Sequence, residues 1–262
     1  MQFVTPQAFH IAQTEIDRNG MDAYLTAVGA PSWVTDAPTG GEELIEVLGR
    51  MCYRSFAPLL NPNVTKIREG NLGYLSNVSH QRHGSLFEHS TDTYVLFNVS
   101  RIVTHQLVRH RSGCSWAQES GHYVRVDGIK SWFPAWLENH PRSAELFELY
   151  KTTYEDLEEK QRRLAVILDV DSLPFADKKR ATTAMRRLVP DGIATAIGMT
   201  CNHRAWRWIC QLRTERSNDD EIRLIMAEVF KQQSARYVNL YADAVTTEVN
   251  GILEVKFGNE KI

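Results

Sequence analysis

Cysteine is sparse in this chain of 262 residues, and its four cysteines stand too far apart to form a CxxC pair. Their spacing argues against a zinc ribbon, a CxxC redox motif or a disulfide framework, and it predicts free, buried thiols instead. No apolar run approaches the roughly 20 residues that a membrane-spanning helix needs. The N-terminal sequence also lacks the successive basic, apolar and small-residue regions of a secretory signal, so we expect a cytoplasmic protein without a membrane partner.

An excess of either charge is also missing, because 30 Lys and Arg residues face 32 Asp and Glu residues and leave a net charge of −2. Without a global positive field, the sequence predicts no nucleic-acid partner, and any basic site must be local. The sequence contains no GxSxG, P-loop or GxGxxG motif, so α/β-hydrolase, P-loop and Rossmann chemistry have no motif to support them. The histidines match neither HExxH nor zinc-finger spacing, which predicts no metal site.

Residues 1–41 show no regular hydrophobic period and carry several proline and glycine breaks, so we expect an N-terminal extension that is mobile or contacts other copies of the chain. Residues 42–262 are expected to form a single domain. Apolar spacing predicts helices near 42–56, 71–80, 100–110, 143–168, 178–188 and 219–241, and β-branched and aromatic residues predict a strand over 93–99. The candidate apolar faces are Leu44, Val47, Leu48 and Met51 in the first helix, Leu146, Tyr150, Leu157 and Leu164 in the long helix, and Ile222, Ile225, Phe230 and Tyr237 in the last.

The densest polar information lies in residues 104–123. On a helix over 100–110, Arg101, His105 and Arg109 share a face at four-residue steps, and Gln106 shares a face with Arg109 three residues away. Cations stacked at four-residue steps repel by roughly a few tenths of a kcal/mol, so this helix predicts an anionic partner, either a phosphate or a carboxylate. A solvated basic patch, or structural pairs with acids such as Glu88 and Glu119, is the alternative. Arginine binds phosphate in a bidentate way, so the RHR tripeptide beside a Ser- and Gly-containing loop favours a nucleotide.

A second arginine-rich stretch interleaves its cations with tryptophan. That alternation is typical of single-stranded nucleic-acid binding, where bases stack on aromatic rings. The acidic net charge and the lack of a sustained basic stripe make nucleic acid the weaker interpretation, and small anions remain the expected partners. The arginines concerned are Arg186, Arg187, Arg204, Arg207, Arg213 and Arg216.

Three separated segments carry recognisable motifs. They are HGSLFEHS at 83–90, SRIVTHQLVRHR followed by a loop ending in ESGHY at 100–123, and RRLVP, NHR, QLR and EIR between 186 and 223. In their order and separations these segments resemble the flavin-dependent thymidylate synthases, and RMCYRS at 50–55 resembles part of that family's first helix. The resemblance covers about residues 42–245, whereas residues 1–41 have no counterpart. It implies an α/β fold with a central, mainly antiparallel sheet flanked by long helices.

The resemblance also implies an enzyme that moves a one-carbon unit from methylenetetrahydrofolate to C5 of dUMP, with FAD as its flavin and NADPH as reductant. Arg213 is the expected catalytic residue, because a guanidinium can stabilise negative charge on the uracil ring. The residues implied at the flavin are His83, Ser85, Arg109, His110, Arg111, Gln118, Asn202 and Arg204. The residues implied at dUMP are Gln106, Arg109, Gln118, Ser120, Gly121, His122, Arg186 and Arg213. The NHR segment is expected to reach the flavin of a neighbouring subunit, which implies a homotetramer with shared active sites.

The sequence departs from the family's pattern at four places. Ala117 and Gln118 replace a usual Asn-Glu pair, and Gln118 keeps its hydrogen-bonding capacity without the charge. His122 replaces an arginine, so the positive charge expected at the dUMP phosphate becomes dependent on pH. Trp208 stands where an asparagine is expected near the flavin, and Asn-Asp at 218–219 replaces Ala-Gln. These departures leave two alternatives open, the same chemistry on another pyrimidine nucleotide and a non-catalytic nucleotide- or flavin-binding protein.

A cysteine thiolate is the nucleophile in the other, unrelated kind of thymidylate synthase. The resemblance places none of the present cysteines at the base, and Cys114, the nearest to the RHR tripeptide, has no partner at a fixed spacing that would lower its pKa. We therefore expect chemistry that does not depend on cysteine. Ser120 is interpreted as a phosphate or sugar ligand, because no Asp-His relay can be assigned to it.

Overall fold

The computed structural model describes residues 1–121 and 128–259. Its helices are α1 (Arg18–Ala27), α2 (Gly40–Tyr53), α3 (Asn71–His80), α4 (Arg101–Leu107), α5 (Ala135–Glu138), α6 (Ser143–Ile167), α7 (Phe175–Arg186), α8 (His203–Thr214) and α9 (Asp220–Arg236), with a 3₁₀ turn at Gly84–Glu88. Its strands are β1 (Gln2–Phe3), β2 (Gln7–Gln13), β3 (Thr91–Ser100), β4 (Cys114–Gln118), β5 (Lys130–Ser131), β6 (Ala194–Asn202), β7 (Ala244–Val249) and β8 (Ile252–Phe257). Within these ranges, no helix is long and apolar enough to cross a membrane.

The main sheet has four strands in the order β2-β3-β6-β4. β4 and β6 run antiparallel, because the amide of Asn202 donates to the carbonyl of Gly113 and the amide of Glu119 donates to the carbonyl of Ala196, both at 3.0 Å and in one register. β7 and β8 form an antiparallel hairpin, and the short strands β1 and β5 pair in parallel. The expected α/β class with an antiparallel sheet and several helices is confirmed.

The packing of the chain divides it into two compact units. Within the described ranges, the first unit contains Met1–Phe9, Val95–Arg109 and Trp116–Met199, and the second unit contains His10–Tyr94, His110–Ser115 and Thr200–Ile262. Both units draw on segments from each side of residue 41, so neither follows the expected boundary. The single domain expected over residues 42–262 stays a prediction.

Residues 1–41 form regular elements, in contrast to the irregular extension that their pattern predicts. β2 is an edge strand of the four-stranded sheet, and α1 begins after Asp17, whose carboxylate accepts hydrogen bonds from two amides of the first turn. Leu25 and Ala30 are buried in a cluster with Val47 and Phe56. The pattern misses these elements because β2 buries no residue fully and α1 buries only Leu25. A role for residues 1–41 in contacts between copies stays a prediction.

α2 buries charge on the face that its apolar pattern leaves out. Glu42, Glu46 and Arg50 are at most 2% exposed, whereas Met51 is 44% exposed. Glu46 accepts from Arg50 Nε at 2.8 Å and from two neutral side chains, and Glu42 accepts from two backbone amides that follow α9. A pattern of apolar residues does not detect charged side chains that are buried together with their hydrogen-bond partners. The predicted apolar face is therefore right at Val47 and wrong at Met51.

The predicted core positions of the last helix are confirmed, because all four are at most 5% exposed. In α6, by contrast, the predicted apolar stripe is only half-buried, and the buried positions are Tyr154, Glu158 and Gln161. Gln161 donates to the carbonyl of Met185 at 3.1 Å, and the hydroxyl of Ser131 donates to that of Tyr154 at 3.1 Å. Tyr150 and Leu157 pack against the buried cluster of Ile129, Tyr154 and Ile193, so the inner face of α6 combines apolar contacts with hydrogen bonds that a hydrophobic period does not report.

Arg207 of α8 is fully buried, although the sequence groups it with arginines expected to meet small anions. Its two terminal nitrogens donate to the two carboxylate oxygens of Asp243 at 2.8 Å, and one also donates to the carbonyl of Leu240 at 2.7 Å. Its guanidinium carbon lies 4.0 Å from the centre of the Phe257 ring, within the range of a cation–π contact. Arg207 is thus a structural cation whose counter-ion belongs to the same unit.

We expect Asp243→Ala to lower the free energy of unfolding by about 3 kcal/mol, because it leaves the buried guanidinium of Arg207 without its counter-ion. Urea unfolding followed by circular dichroism measures this change. Asp156→Ala is the matched control, since it removes the acid of the exposed Lys160–Asp156 pair and should cost less than about 1 kcal/mol. Equal losses in the two variants would contradict a special role for the buried pair.

Candidate functional site

α4 carries the first group of predicted site residues in the first unit. Ser100 caps the helix, as its position in the sequence predicts, by accepting from the amide three residues further on. Arg101 is half-buried and donates from Nη2 to the carbonyl of Glu119 at 3.2 Å. Gln106 is half-buried and Arg109 is exposed. α4 ends at Leu107, so Arg109 lies in the turn after it and not on the predicted helix over 100–110. Arg101 is therefore held by the residue that follows β4, whereas Arg109 is exposed beyond the helix.

Two guanidiniums lie within electrostatic reach of each other beyond the end of β4. Burial and the neighbouring charge of Arg101 both lower the pKa of Arg186, and the carboxylate of Glu119 offsets part of that effect. One oxygen of this carboxylate already accepts from a hydroxyl and an amide of β6, each at 3.1 Å. A Cβ on Gly121 would lie 3.6 Å from Arg186 Nε. Two neighbouring guanidiniums, with one oxygen of the nearby Glu119 carboxylate already engaged by β6, suit a phosphate beside Gly121.

Gln118 closes this group from the strand side. Its Nε2 donates to the hydroxyl of Thr104 at 3.0 Å, so the amide ties β4 to α4. Ser120 is half-buried just after the strand. Arg101 belongs with these residues although the family motif does not name it. The signal that points to Arg101 in the sequence is its four-residue spacing from His105 on the same helix, since α4 ends before Arg109.

In the second unit, His110 of the RHR tripeptide contacts Arg213. Arg213 Nε donates to His110 Nε2 at 2.9 Å. Burial, with a further contribution from the charge of Arg213, lowers the pKa of His110 to about 4. At neutral pH the imidazole is therefore uncharged, with Nε2 as acceptor and the ring proton on Nδ1. The RHR tripeptide therefore contains two charged arginines and a neutral His110, and this histidine orients the guanidinium of Arg213.

The turn after the RHR tripeptide requires a glycine. Gly113 has a φ of +72°, and a Cβ there would come within 2.5 Å of Asn202 Nδ2. Asn202 in turn caps α8, because its Oδ1 accepts from the amide of Ala205 at 2.9 Å. Backbone and side chain of Asn202 are thus fixed against Gly113, which holds the RHR turn beside the start of α8. The family's motifs do not include Gly113. Its part in placing the RHR turn against Asn202 is evident only from its backbone geometry.

Arg204 and the HGSLFEHS segment also lie in the second unit. Arg204 Nη1 contacts Glu88 Oε1 at 2.5 Å, with both side chains more than 40% exposed, so Glu88 pairs with an arginine outside the 100–111 segment for which the sequence suggests it. His83 and Ser85 line a cleft of about 570 Å³. The ring of Tyr53 stacks on that of His83 with centroids 6.5 Å apart. The cleft offers an aromatic platform beside an imidazole and a hydroxyl.

The β7–β8 hairpin holds the C-terminal turn of α8, where Arg213 lies. The hydroxyl of Thr214 accepts from the amide of Val255 at 2.9 Å, and Gln211 Oε1 accepts from the amide of Phe257 at 2.8 Å. Arg213 Nη1 also donates to Asn218 Oδ1 at 3.4 Å. One of the departures from the family's pattern, the asparagine at 218, is therefore a direct contact of the expected catalytic residue.

The structure separates the predicted residues into two sets, one in each unit. Gln106, Arg109, Gln118, Ser120, Gly121 and Arg186 belong to the first unit, and His83, Ser85, His110, Arg111, Asn202, Arg204 and Arg213 belong to the second unit. His122 lies outside the described residues. Trp208 is 46% exposed. The roles of all these residues towards a ligand stay predictions.

Two expectations about cysteine are corrected. Cys52 is exposed and Cys114 is half-buried, so only Cys201 and Cys210 match the expected burial. Cys114 also has a partner that its sequence spacing does not reveal. A hydrogen bond from the Cys201 thiol lowers the pKa of Cys114, against the opposing effect of desolvation. The partner comes from a different strand, and spacing along one segment cannot detect it.

Comparisons with known proteins agree with the motifs. A family described as thymidylate synthase complementing protein matches residues 34–236. A flavin-dependent thymidylate synthase of Mycobacterium marinum is 33% identical over 224 residues, covering 84% of this chain and 86% of that protein. The one from Mycobacterium avium is 31% identical over 215 residues, covering 80% and 82%. Two crystal structures of the UMP/dUMP methylase PolB from Streptomyces cacaoi, one bound with 5-Br dUMP and one with 5-Br UMP, share the fold with a TM-score of 0.62 each. The first is 16% identical and the match covers 92% of this chain and 96% of that chain. The second is 15% identical and the match covers 92% and 95%.

We expect His110 to titrate near pH 4, and Arg213→Met to move its midpoint upward, because that variant removes a neighbouring positive charge. Histidine ring resonances followed by NMR across the acid range measure both midpoints. Since the folded pKa lies below the unfolded value, neutral His110 adds stability that is complete above about pH 6.5 and is lost as pH falls through about 4. Arg216→Met is the control and should leave the midpoint unchanged. A wild-type midpoint above pH 6 would contradict the buried contact.

Proposed function

Because this chain belongs to the flavin-dependent thymidylate synthase family, we propose that it methylates dUMP at C5 to give dTMP, with methylenetetrahydrofolate as one-carbon donor, FAD as its flavin and NADPH as reductant. The observation that carries the proposal is the bond from Arg213 to a neutral His110, which joins the family's RHR and QLR segments at 2.9 Å. A guanidinium oriented without loss of its charge suits a substrate that must develop negative charge.

The residues of the second unit fit an anionic dinucleotide. Arg111 is exposed, Arg204 is half-exposed, and Asn202 keeps its amide Nδ2 as a donor while Oδ1 caps α8. A Cβ on Gly113 would clash with the Asn202 side chain, so the glycine lets this turn pack directly against Asn202. FAD would be held by His83, Ser85, Arg109, His110, Arg111, Gln118, Asn202 and Arg204. When bound, FAD supplies the hydride-transfer chemistry that no side chain of the protein can perform.

The phosphate of dUMP would be bound by the first unit. Arg186, Ser120 and Gly121 form its centre, with Gln106, Gln118 and Arg109 as further contacts. The support is the depressed pKa of Arg186 beside Arg101, because a nearby dianion would stabilise both charged guanidiniums. His122 is proposed at the same phosphate, and Arg101 joins the set as a second cation.

Arg213 would act on the uracil ring. Its charged N–H groups can donate to the N3/O2 edge of the base and stabilise negative charge there, which makes C5 nucleophilic. His110 takes part by accepting from Nε, so that the plane of the guanidinium is fixed before substrate binds. In this scheme no cysteine attacks the base. Burial raises the pKa of the Cys210 thiol to about 12, and burial followed by the contact with Cys114 raises the pKa of Cys201.

One experiment tests cofactor, substrate and chemistry together. The purified protein is loaded with FAD, reduced anaerobically, and mixed with dUMP and methylenetetrahydrofolate. We expect flavin reoxidation that depends on dUMP, with dTMP as product. If the flavin is reoxidised with UMP or dCMP and not with dUMP, the substrate is another pyrimidine nucleotide. A protein that binds FAD and shows no turnover with any of the three would overturn the catalytic proposal.

We expect Arg213→Lys to lower kcat at least about 100-fold, because a point charge cannot replace a planar guanidinium that bonds His110 and the base edge together. The KM for dUMP should change much less, since phosphate contacts dominate binding. Steady-state dTMP formation measures both. Arg216→Lys, on an exposed arginine three residues further along the chain, is the matched control and should keep wild-type kcat. If the two variants lose the same activity, Arg213 has no special role.

The proposed assembly is a homotetramer with shared active sites, in which Asn202 and Arg204 reach the flavin of a neighbouring subunit. Arg204→Ala and Arg109→Ala should each be inactive, and mixing the two after reversible dissociation should restore about a quarter of wild-type activity, because some sites then combine two intact halves. Sedimentation of the mixture checks its size. Absence of recovery in mixed tetramers, or an active monomer, would contradict shared sites.

A further inference from the structure

Two cysteines face each other across the β4–β6 strand pair. The amide of Asn202 donates to the carbonyl of Gly113 at 3.0 Å, so these two residues form a hydrogen-bonded pair. In an antiparallel ladder the next residues inward, Cys114 and Cys201, are then directly opposite at a position without cross-strand hydrogen bonds. Opposed Cα atoms at such positions lie about 4.5 Å apart, which falls within the range of about 4.4–6.8 Å that disulfides span.

The two thiols contact each other and differ in character. The Cys201 thiol is 1% exposed, whereas Cys114 is half-buried and reachable from solvent. A hydrogen bond from Cys201 lowers the pKa of Cys114, and desolvation followed by the same contact raises the pKa of Cys201. An accessible, more acidic thiol beside a buried, protonated one is the arrangement of an attacking and a resolving cysteine.

The position of the pair in the chain gives a crosslink a structural consequence. Cys114 follows the RHR turn, with only Ser112 and Gly113 between it and Arg111. Cys201 directly precedes Asn202, the cap of α8. The amide of Asn202 already joins these two segments at the end of the ladder by donating to the carbonyl of Gly113. A covalent bond one residue away would add a second, permanent connection.

We propose that Cys114 and Cys201 form a reversible disulfide in the folded protein, made by exchange with a small-molecule disulfide, which ties the RHR turn to the start of α8. In the first step the Cys114 thiolate attacks one sulfur of the small disulfide, forms a mixed disulfide and releases one thiolate. In the second step Cys201 attacks the Cys114 sulfur and forms the protein disulfide. The second half of the reagent leaves and takes up the proton of Cys201, so one disulfide is consumed and two small thiols are released.

The other two cysteines lie elsewhere in the second unit. Cys52 is exposed in α2, so it can form a mixed disulfide with glutathione, which peptide mapping separates from the Cys114–Cys201 link. Cys210 is fully buried in α8, and burial raises the pKa of its thiol to about 12. Cys210 still lies close enough to influence Cys201 electrostatically. A Cys201–Cys210 bond is therefore the alternative product that the experiment must distinguish.

The test uses the full chain and oxidised glutathione, with peptide mapping before and after reduction by dithiothreitol. We expect the loss of the free thiols of Cys114 and Cys201, a reducible link between the peptides that contain them, and no protein disulfide in Cys114→Ser or Cys201→Ala. Cys52→Ser is the matched control and should form the link as wild type does. The crosslinked protein should unfold at a temperature about 5–10 °C higher, because the bond closes a long loop in the unfolded chain.

Hydrogen exchange tests the mechanical part of the proposal. Amides of residues 111–114 should exchange more slowly in the oxidised protein and return to their original rate after reduction. Glutathione retained on Cys114, a link to Cys210, or Cys114 and Cys201 both still free after prolonged oxidation would overturn the disulfide. A correct link without any change in exchange would overturn the tie between the two segments. None of these readouts requires FAD, dUMP or turnover, so they stand apart from the proposed function.

Discussion

The buried guanidinium of Arg207 is the constraint on which the second unit's site geometry depends. It lies inside α8, where burial without its counter-ion would cost several kcal/mol, so Asp243 must stay within hydrogen-bonding distance, as it does at 2.8 Å. The same helix begins at the Asn202 cap and ends just after Arg213. Fixing Arg207 at the middle of this short helix therefore fixes both ends, and with them the cap beside Gly113 and the guanidinium beside His110.

The β7–β8 hairpin also constrains α8, although it lies beyond residue 236, where the match to the family ends. Asp243 directly precedes β7, and β8 supplies Phe257, whose ring covers Arg207. β8 also donates an amide to Thr214, the neighbour of Arg213 in the sequence. A segment outside the family match thus determines where a residue of the family's motif lies. The motifs identify Arg213 as a candidate site residue, and the hairpin holds the helical turn on which Arg213 lies.

Prediction from sequence succeeds here where the determining interactions are local. Ser100 caps α4 through a residue three positions away, and the core positions of α9 follow one helical period. It fails where a side chain meets a partner distant in the sequence. His110 and Arg213 are 103 positions apart, and the opposition of Cys114 to Cys201 depends on a strand register that no single segment encodes. Periodicity also treats charge as exposed, so it cannot anticipate the buried pairs in α2 and α8.

The two interpretations that the sequence leaves open for its arginines apply to different members of the set. Arg207 is a structural cation, whereas Arg204 pairs with Glu88 at the surface. An exposed ion pair of this kind contributes only about 0–1 kcal/mol. A charge-assisted contact to phosphate is stronger than that, so a phosphate can displace Glu88 from Arg204 at little cost. Burial therefore decides which arginines are able to exchange partners.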